Sequence, residues 1–331
     1  MRGKLVLAIL ITALSFVFMM TDVHAQQVRA YMGLSPENNV KVVDFVKEKT
    51  GISILQTFQS FGEIEARVKA EAPNFNADMI VGCGSPLAFM SKKNKWAVAY
   101  DSAGWKGVST EFADPERFWF NIANFSFVLV GNKDKLAKAS LAMPKSWKDL
   151  LDPKWKDQIV MSSPLTSGTA NMMRYTFLTL YGEEGGWKFL EALDKNIHHY
   201  TRSGNAPTDL VGRGEFLLGL TSDEMVKSRI DQGYPLLWTV PEEGTGYDGT
   251  FALIFPGTKM MDACKKVIDV LGTPEFSKMM AALGYVTPRP APNALYGDKT
   301  PKYVKLDLGW AAENRPKWND IWKSKFREHQ K

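Results

Sequence analysis

Along this chain, short apolar runs alternate with stretches whose apolar residues recur every three or four positions. That is the signature of strands interleaved with amphipathic helices. A first strand is predicted at 28–32. Ser35-Pro36 then opens a helix, with Ser as cap and Pro in the first turn. Val42, Val43 and Val46 give that helix a buried face, and Gly51 ends it. A strand at 52–58, a helix at 61–71 with Ile64 and Val68 inward, and a short buried strand at 78–81 follow. The run Gly82-Cys83-Gly84-Ser85-Pro86 stops that strand and starts a further helix. This βαβα order predicts an α/β fold with a parallel or mostly parallel sheet.

Residues 118–130 form a longer extended stretch rich in aromatic and branched side chains, and 249–255 has similar character. Between them a second αβ set is predicted. It holds a strand at 159–161, a helix into Tyr181 that buries Met172, Met173, Thr176, Phe177 and Leu180, and a helix with Trp187, Leu190 and Leu193. Strands near 197–200 and 216–220, a helix from Ser222 and a strand at 236–240 complete it. Helices return at 259–271, 274–283 and 310–326. The pattern reads as two lobes, each with its own mixed sheet flanked by helices. Residues 26–123 and 254–331 form the first lobe, and 124–253 the second. The two extended stretches form a two-strand hinge beside a cleft. Ligands in open α/β sheets sit beyond the carboxyl ends of the strands. Loops at 33–35, 82–86, 163–169 and 203–207 fall there. Trp318 and Trp322, spaced i, i+4, are expected to pack the last helix onto the first lobe.

The start of the chain reads as an export signal over residues 1–25. Arg2 and Lys4 precede an uncharged run at 5–20, and Val23-His24-Ala25 is a small-x-small site, so cleavage is expected after Ala25. The run is short for a membrane span of about 20 residues. The mature chain is therefore expected to be soluble and outside the cytoplasm. Losing Arg2, Lys4 and Asp22 takes the formal charge from +5 to +4. Basic residues are spread along the chain instead of forming a stripe, which argues against nucleic acid as a partner. A monomer is expected. Cys83 and Cys264 could pair in an exported protein, although Cys264 shares an apolar helix face with Met260, Met261, Val267, Ile268 and Leu271 and reads as core. No CxxC or HExxH spacing occurs, so no metal or cofactor is expected. There is no Gly-x-Ser-x-Gly elbow, and histidine is scarce, so the chain does not read as an enzyme.

The densest chemistry begins where the strand at 159–161 breaks at Pro164 and PLTSGT (164–169) leads into a helix. Ser, Gly and Thr at a helix start aim free N–H groups and hydroxyls at one point, which suits an anion. The same residues also make an ordinary helix cap. Ser203-Gly204-Asn205-Ala206-Pro207 echoes the pattern. Two such starts facing one cleft can hold a phosphate or phosphonate without a metal. Charge-assisted hydrogen bonds contribute about 1.5–3 kcal/mol apiece, so a few reach micromolar binding at about −8.2 kcal/mol. The candidate ligand-binding residues are Thr166, Ser167, Gly168, Thr169, Ser203, Gly204, Asn205 and Ala206. Ser35 and Ser85 join them from the first lobe, each equally explained as a cap.

Asp223, Glu224 and Glu243 are expected near the same rim, with Tyr247 in the same turn as Glu243. Carboxylates accept hydrogen bonds from hydroxyls or an amine and repel bare phosphate. The pattern points to a ligand with an anionic head and a hydroxyl or amino tail. Glu224 reads as favouring the helix from Ser222. His198 and His199 are neighbours in a strand and should point to opposite faces, which fits packing better than metal binding. Arg174 and Arg202 could approach an anion, though surface arginines are usually solvated.

Several strings resemble the periplasmic solute-binding proteins of ABC importers. The match is to the type 2 group that includes ferric-iron, hexose-phosphate, phosphoglycerate and aminoethylphosphonate binders. They are DPKWKDQI (152–159), PLTSGT (164–169), Tyr181-Gly182-Glu183-Glu184 with Trp187, YTRSGNAP (200–207), PEEGTGY (241–247) and GYVTP (284–288). The resemblance implies a two-lobe fold that closes by a hinge around a small anionic solute. It also implies an inner-membrane ABC permease and its ATPase as partners. One departure matters. Iron-binding members of that group carry two adjacent tyrosines just after the strand matching 216–220. Here the residues are Thr221-Ser222-Asp223-Glu224-Met225. Phenolates are hard donors for ferric iron, and Met225 is a soft one. Tyr200, Tyr234 and Tyr247 are scattered. The leading expectation is therefore capture of a sugar phosphate, phosphoglycerate or phosphonate. Ferric iron is the alternative, and an exported hydrolase a remoter one.

Overall fold

A computed structural model describes residues 27–110, 112–297 and 301–326. The export signal expected at residues 1–25 lies outside the described residues. The strands are β1 (Gln27–Met32), β2 (Ser53–Phe58), β3 (Met79–Cys83), β4 (Phe120–Asn132), β5 (Ile159–Ser162), β6 (Ile197–Thr201), β7 (Leu218–Ser222), β8 (Leu236–Thr239) and β9 (Tyr247–Ile254). The helices that matter for the site are α1 (Pro36–Thr50), α2 (Phe61–Glu71), α3 (Ser85–Lys93), α4 (Lys133–Lys138), α5 (Gly168–Asp194), α6 (Ala206–Gly212) and α7 (Asp223–Asp231). Near the end come α8 (Met261–Leu271), α9 (Pro274–Ala282) and α10 (Leu308–Lys325).

The strands form one curled mixed sheet in the order β2-β1-β3-β9-β4-β7-β5-β6, with β8 paired to β4. It falls into two halves. In the first, β1 runs parallel to β2 and β3. In the second, β5 runs parallel to β6 and β7. The long strand β4 joins them. Its residues 120–126 pair with β9, and 127–131 pair antiparallel with β7. The two extended stretches in the sequence are thus the junction between the halves. Alternation along β4 explains how it serves two layers. Phe125, Phe127 and Leu129 enter one apolar cluster, while Val128 and Val130 enter another.

Local chemistry sets the helix ends. Ser35 caps α1 and accepts from the Asn38 amide at 3.3 Å, and Gly51 ends the helix at φ 73°. Ser60 and Glu63 form a reciprocal capping box at α2. Gly182, at φ 72° and ψ 163°, kinks α5 between the two helical segments expected from the sequence. The short α4 was not legible as a helix, because six residues carry too little periodicity.

Two expectations change. Trp318 and Trp322 do not dock on the first half. Their rings lie 5.1 Å from Tyr175 of α5 and 5.3 Å from Tyr200 of β6. An i, i+4 spacing shows that two residues share a face, not what that face meets. His198 and His199 do not diverge. Their Nδ1 atoms lie 3.0 Å apart, and both rings pack on Phe216. The β5–β6 register slips between Ile159 and Val160, so Ile197 and His199 are paired while His198 is skipped. The bulge breaks the strict alternation. Cys83 and Cys264 are buried and unpaired. Among the described residues no helix is long and apolar enough to cross a membrane.

Candidate functional site

The carboxyl ends of β1, β2, β5, β6 and β7 all face one cleft, because each strand feeds the helix that follows it. The walls stand close together and leave a cavity of about 30 Å³ between them. Ser35, Ser167, Gly168, Thr169, Ser203, Gly204 and Asn205 line it. Each enclosing helix starts with amides that have no intrahelical partner. At α5, Ser167 Oγ accepts from the Ala170 amide at 3.2 Å, which leaves the Gly168 and Thr169 amides at the cleft side of the cap. The two small loops pack closely. A β-carbon on Gly204 would lie 2.7 Å from Thr169 Oγ1 and 3.1 Å from Ser167 Oγ.

The halves touch across the cleft. A β-carbon on Gly62 would lie 2.4 Å from the Thr166 carbonyl oxygen, and one on Gly168 would lie 2.8 Å from Phe61 Cβ. Arg229 of α7 reaches Glu37 of α1 at 3.2 Å while also holding Asp209. Phe61 sits in the middle of this contact, also within van der Waals range of Gly33 and Gly84.

Several wall residues were not singled out from sequence: Phe58, Ser60, Phe61, Phe125, Thr250 and Tyr285; Glu224, read from sequence chiefly as a helix-start acid, also lines the wall. Glu224 changes the picture most. It is 7% exposed, and its Oε2 has no hydrogen-bond partner. Burial and the neighbouring Asp223 charge push its pKa well above the usual carboxylate range. Asp223 lies behind it. Its Oδ1 accepts from the Ser126 and Glu224 amides, and its Oδ2 accepts from the Tyr296 hydroxyl at 2.8 Å. Burial raises the Asp223 pKa too. Tyr285 accepts from Asn38 Nδ2 at 3.3 Å, and burial with the Glu224 charge pushes its phenol far up. The available signals were the Ser60…Glu63 capping box and an acid one residue into a helix that starts at the ligand end of β7.

The other candidates fall elsewhere. Thr166 braces the loop, its hydroxyl donating to the Arg202 carbonyl at 2.9 Å. Ala206 opens α6 beside the cleft, its amide donating to the Ser203 carbonyl at 3.3 Å. Ser85 donates its amide to Asp248 Oδ1 at 3.1 Å and faces a different cavity. Glu243 accepts from the Trp147 and Lys148 amides and the Tyr181 hydroxyl, which fastens the 145–151 segment. Tyr247 is half-exposed and packs against Tyr303. Arg202 is solvated, and Arg174 is buried under α10.

A two-half α/β fold whose helix starts converge on a polar cleft is built to hold a small molecule between its halves. The chain belongs to the bacterial extracellular solute-binding protein family, whose model matches residues 74–323. This family supplies the solute-binding component of ABC importers, and its members work with a permease and an ATPase. A relative from Haemophilus influenzae, an uncharacterized protein, is 31% identical over 219 residues, covering 63% of this chain and 62% of that relative. A Salmonella typhimurium protein, named as a candidate 2-aminoethylphosphonate-binding periplasmic protein, is 22% identical over 290 residues, covering 84% of this chain and 81% of its own. In fold the chain is similar to the periplasmic binding protein AfuA from Actinobacillus pleuropneumoniae, solved with fructose-6-phosphate bound. The TM-score is 0.82 at 23% identity, with 91% of this chain and 98% of that one covered. It is also similar to the apo ferric ion-binding protein A of Pasteurella haemolytica, with a TM-score of 0.75 at 20% identity and 91% and 98% covered.

Proposed function

We propose that this protein captures a small solute with a phosphate or phosphonate head and an amino or hydroxyl tail, and delivers it to an inner-membrane ABC permease and its ATPase. The observation that carries the reading is the pairing, in one closed cleft, of helix-start amides at Gly168 and Thr169 with the buried, unpartnered Oε2 of Glu224. The amides and the hydroxyls of Ser35, Thr169 and Ser203 suit the anionic head. Glu224 suits the tail. A bare dianion would meet a buried acid and gain less, whereas an ammonium or hydroxyl satisfies the orphan oxygen. The names of the Salmonella relative and of the fructose-6-phosphate complex are in keeping with such a solute.

The protein works as a monomer in the periplasm after loss of residues 1–25, and it is a carrier, not a catalyst. Residues 26–123 and most of 254–331 move against 124–253, with α10 riding on α5. The ferric reading is weaker. Tyr285 is the one tyrosine among the described residues lining the cleft, and its burial disfavours the phenolate that iron would need. Calorimetric titration with 2-aminoethylphosphonate, fructose 6-phosphate, 3-phosphoglycerate, inorganic phosphate and ferric citrate tests the proposal. We expect saturable binding of at least one of the first three, and tighter than inorganic phosphate. Binding of ferric citrate alone, or of none of them, overturns it.

A further inference from the structure

A second cavity, about 520 Å³ in volume, opens between α2, α3, α5 and α10. It does not share a lining residue with the cleft described above. Much of its wall is apolar: Phe89, Met90, Leu308 and Ala311. Most of the polar groups set into that wall can donate hydrogen bonds. Ser85 and Tyr175 are almost fully buried, and their hydroxyls have no hydrogen-bond partner. Arg315, Lys69 and Lys93 bring positive charge, against which Glu65 is the one carboxylate lining the cavity among the described residues. Glu65 is already bound by both Arg315 and Lys69.

The imbalance continues behind the wall. Arg174, next to Tyr175 in sequence, is 1% exposed. Its Nη2 donates to Asn171 Oδ1 and Asn319 Oδ1, which are neutral; Nε and Nη1 make no hydrogen bond, and the guanidinium lies over the Tyr175 and Trp318 rings at 5.7 and 6.0 Å. The two rings offset part of the cost of burying that charge without a carboxylate. The nearby acid Asp248 lies in an adjoining pocket, held by the Ser85 and Gly249 amides. Asp248 Oδ2 has no partner either, so the cavity itself is apolar in its walls and cationic in its charged groups.

We propose that this cavity is a second ligand site, taking a medium-chain fatty acid with its tail among Phe89, Met90, Leu308 and Ala311 and its carboxylate toward Arg315 and the Tyr175 hydroxyl. An inorganic anion would leave the apolar wall unfilled, and a neutral alcohol or a cation would leave the positive charge unbalanced. Because the cavity is bounded by α2 and α3 on one half of the sheet and by α5 on the other, its occupant touches both bodies that close the cleft.

The test is titration of the full mature protein with decanoate below its micelle concentration, followed by tryptophan fluorescence and calorimetry. Decanol and decyltrimethylammonium serve as headgroup controls. We expect one-to-one binding of decanoate, at least tenfold tighter than either control. Ala311→Trp, which fills the cavity, should weaken it at least tenfold. Phe89→Glu, at an exposed position of the wall, should do the same and serves if Ala311→Trp does not melt cooperatively. Absence of decanoate binding, equal binding of decanol, or decanoate affinity unchanged in Phe89→Glu overturns the proposal.

Discussion

Replacing Gly62 with alanine separates closure from folding. Gly62 is the second residue of α2 and does not sit at a positive φ, so its backbone accepts a side chain. Within one half of the molecule the change is neutral or favourable, since Ala in a helix is better than Gly by roughly 0.5–1 kcal/mol. Across the cleft it is not. The new β-carbon would lie 2.4 Å from the Thr166 carbonyl oxygen and 3.1 Å from its carbon. Both are backbone atoms, so no rotamer change relieves the overlap. The loop is also braced, with the Thr166 amide on the Ser163 carbonyl at 3.2 Å and its hydroxyl on the Arg202 carbonyl at 2.9 Å. Overpacking of this kind costs about 1–3 kcal/mol, and here it falls on the closed form alone. At about 1.4 kcal/mol per tenfold, solute affinity should fall roughly 5- to 150-fold. The melting temperature without solute should hold or rise. Calorimetric titration, thermal melts and the radius of gyration with saturating solute read the three quantities. Affinity within twofold of wild type would refute the closure argument, as would a lowered melting temperature in the absence of solute.

Three further outcomes follow from the same geometry. Glu224→Gln should weaken an amine-tailed solute by about 2–5 kcal/mol, the range for breaking a buried charge pair, and a hydroxyl-tailed solute much less; equal losses for both in calorimetry would rule out recognition of an ammonium. The Asp248 carboxyl is pushed up to about 6 by burial, so the native chain holds a proton that the unfolded chain has released, and stability falls as pH rises from about 4 through 6. Asp248→Asn keeps an oxygen for the Ser85 and Gly249 amides, so urea melts at pH 4 and pH 7 should show a smaller drop than in wild type; parallel curves would disprove the assignment. Glu37→Ala removes the 3.2 Å pair to Arg229 across the cleft but leaves Arg229 on Asp209; since Glu37 is largely exposed, solute affinity should fall by about 0.2–1 kcal/mol, and the loss should shrink in high salt.

The order of strands and helices was legible because each half repeats a local rule: apolar run, small polar loop, capped helix. Ser35, Ser167 and Gly51 announce their helix ends in the sequence itself. The convergence of the 166–169 and 203–206 loops was legible for the same reason, since both follow parallel strands of one sheet. What failed was any claim that depended on a long-range partner. Glu243 and Tyr247 sit in the same Gly-rich turn, yet one is taken by the Trp147 and Lys148 amides and the other by Tyr303. Nothing in their spacing encodes residues about a hundred positions earlier or more than fifty later. Both histidines pack on Phe216 as expected, but the opposite-faces reading of His198 failed through a register slip that belongs to β5 as much as to β6.

Glu224 is the instructive case, because its local reading was sound and still incomplete. An acid in the first turn of a helix favours the helix dipole, and the Glu224 amide does take part in the helix start by donating to Asp223. The same geometry aims the side chain out of the helix start, toward whatever the carboxyl end of β7 faces. In most helices that is solvent, and the acid stays ionised there. Here the two halves close over it, and burial together with the neighbouring Asp223 charge disfavours its ionised form. The result is an acid that rests most comfortably protonated, or beside a cation. Family members that hold iron are expected to place phenolates at this point of the fold. This chain instead puts a carboxyl there, with a phenol on Tyr285 that burial keeps protonated. A site built that way rewards a ligand for bringing a positive charge or a hydroxyl on the end opposite its anionic head. Selectivity between solutes should therefore reside in the tail, while the helix starts supply the part of the affinity they share.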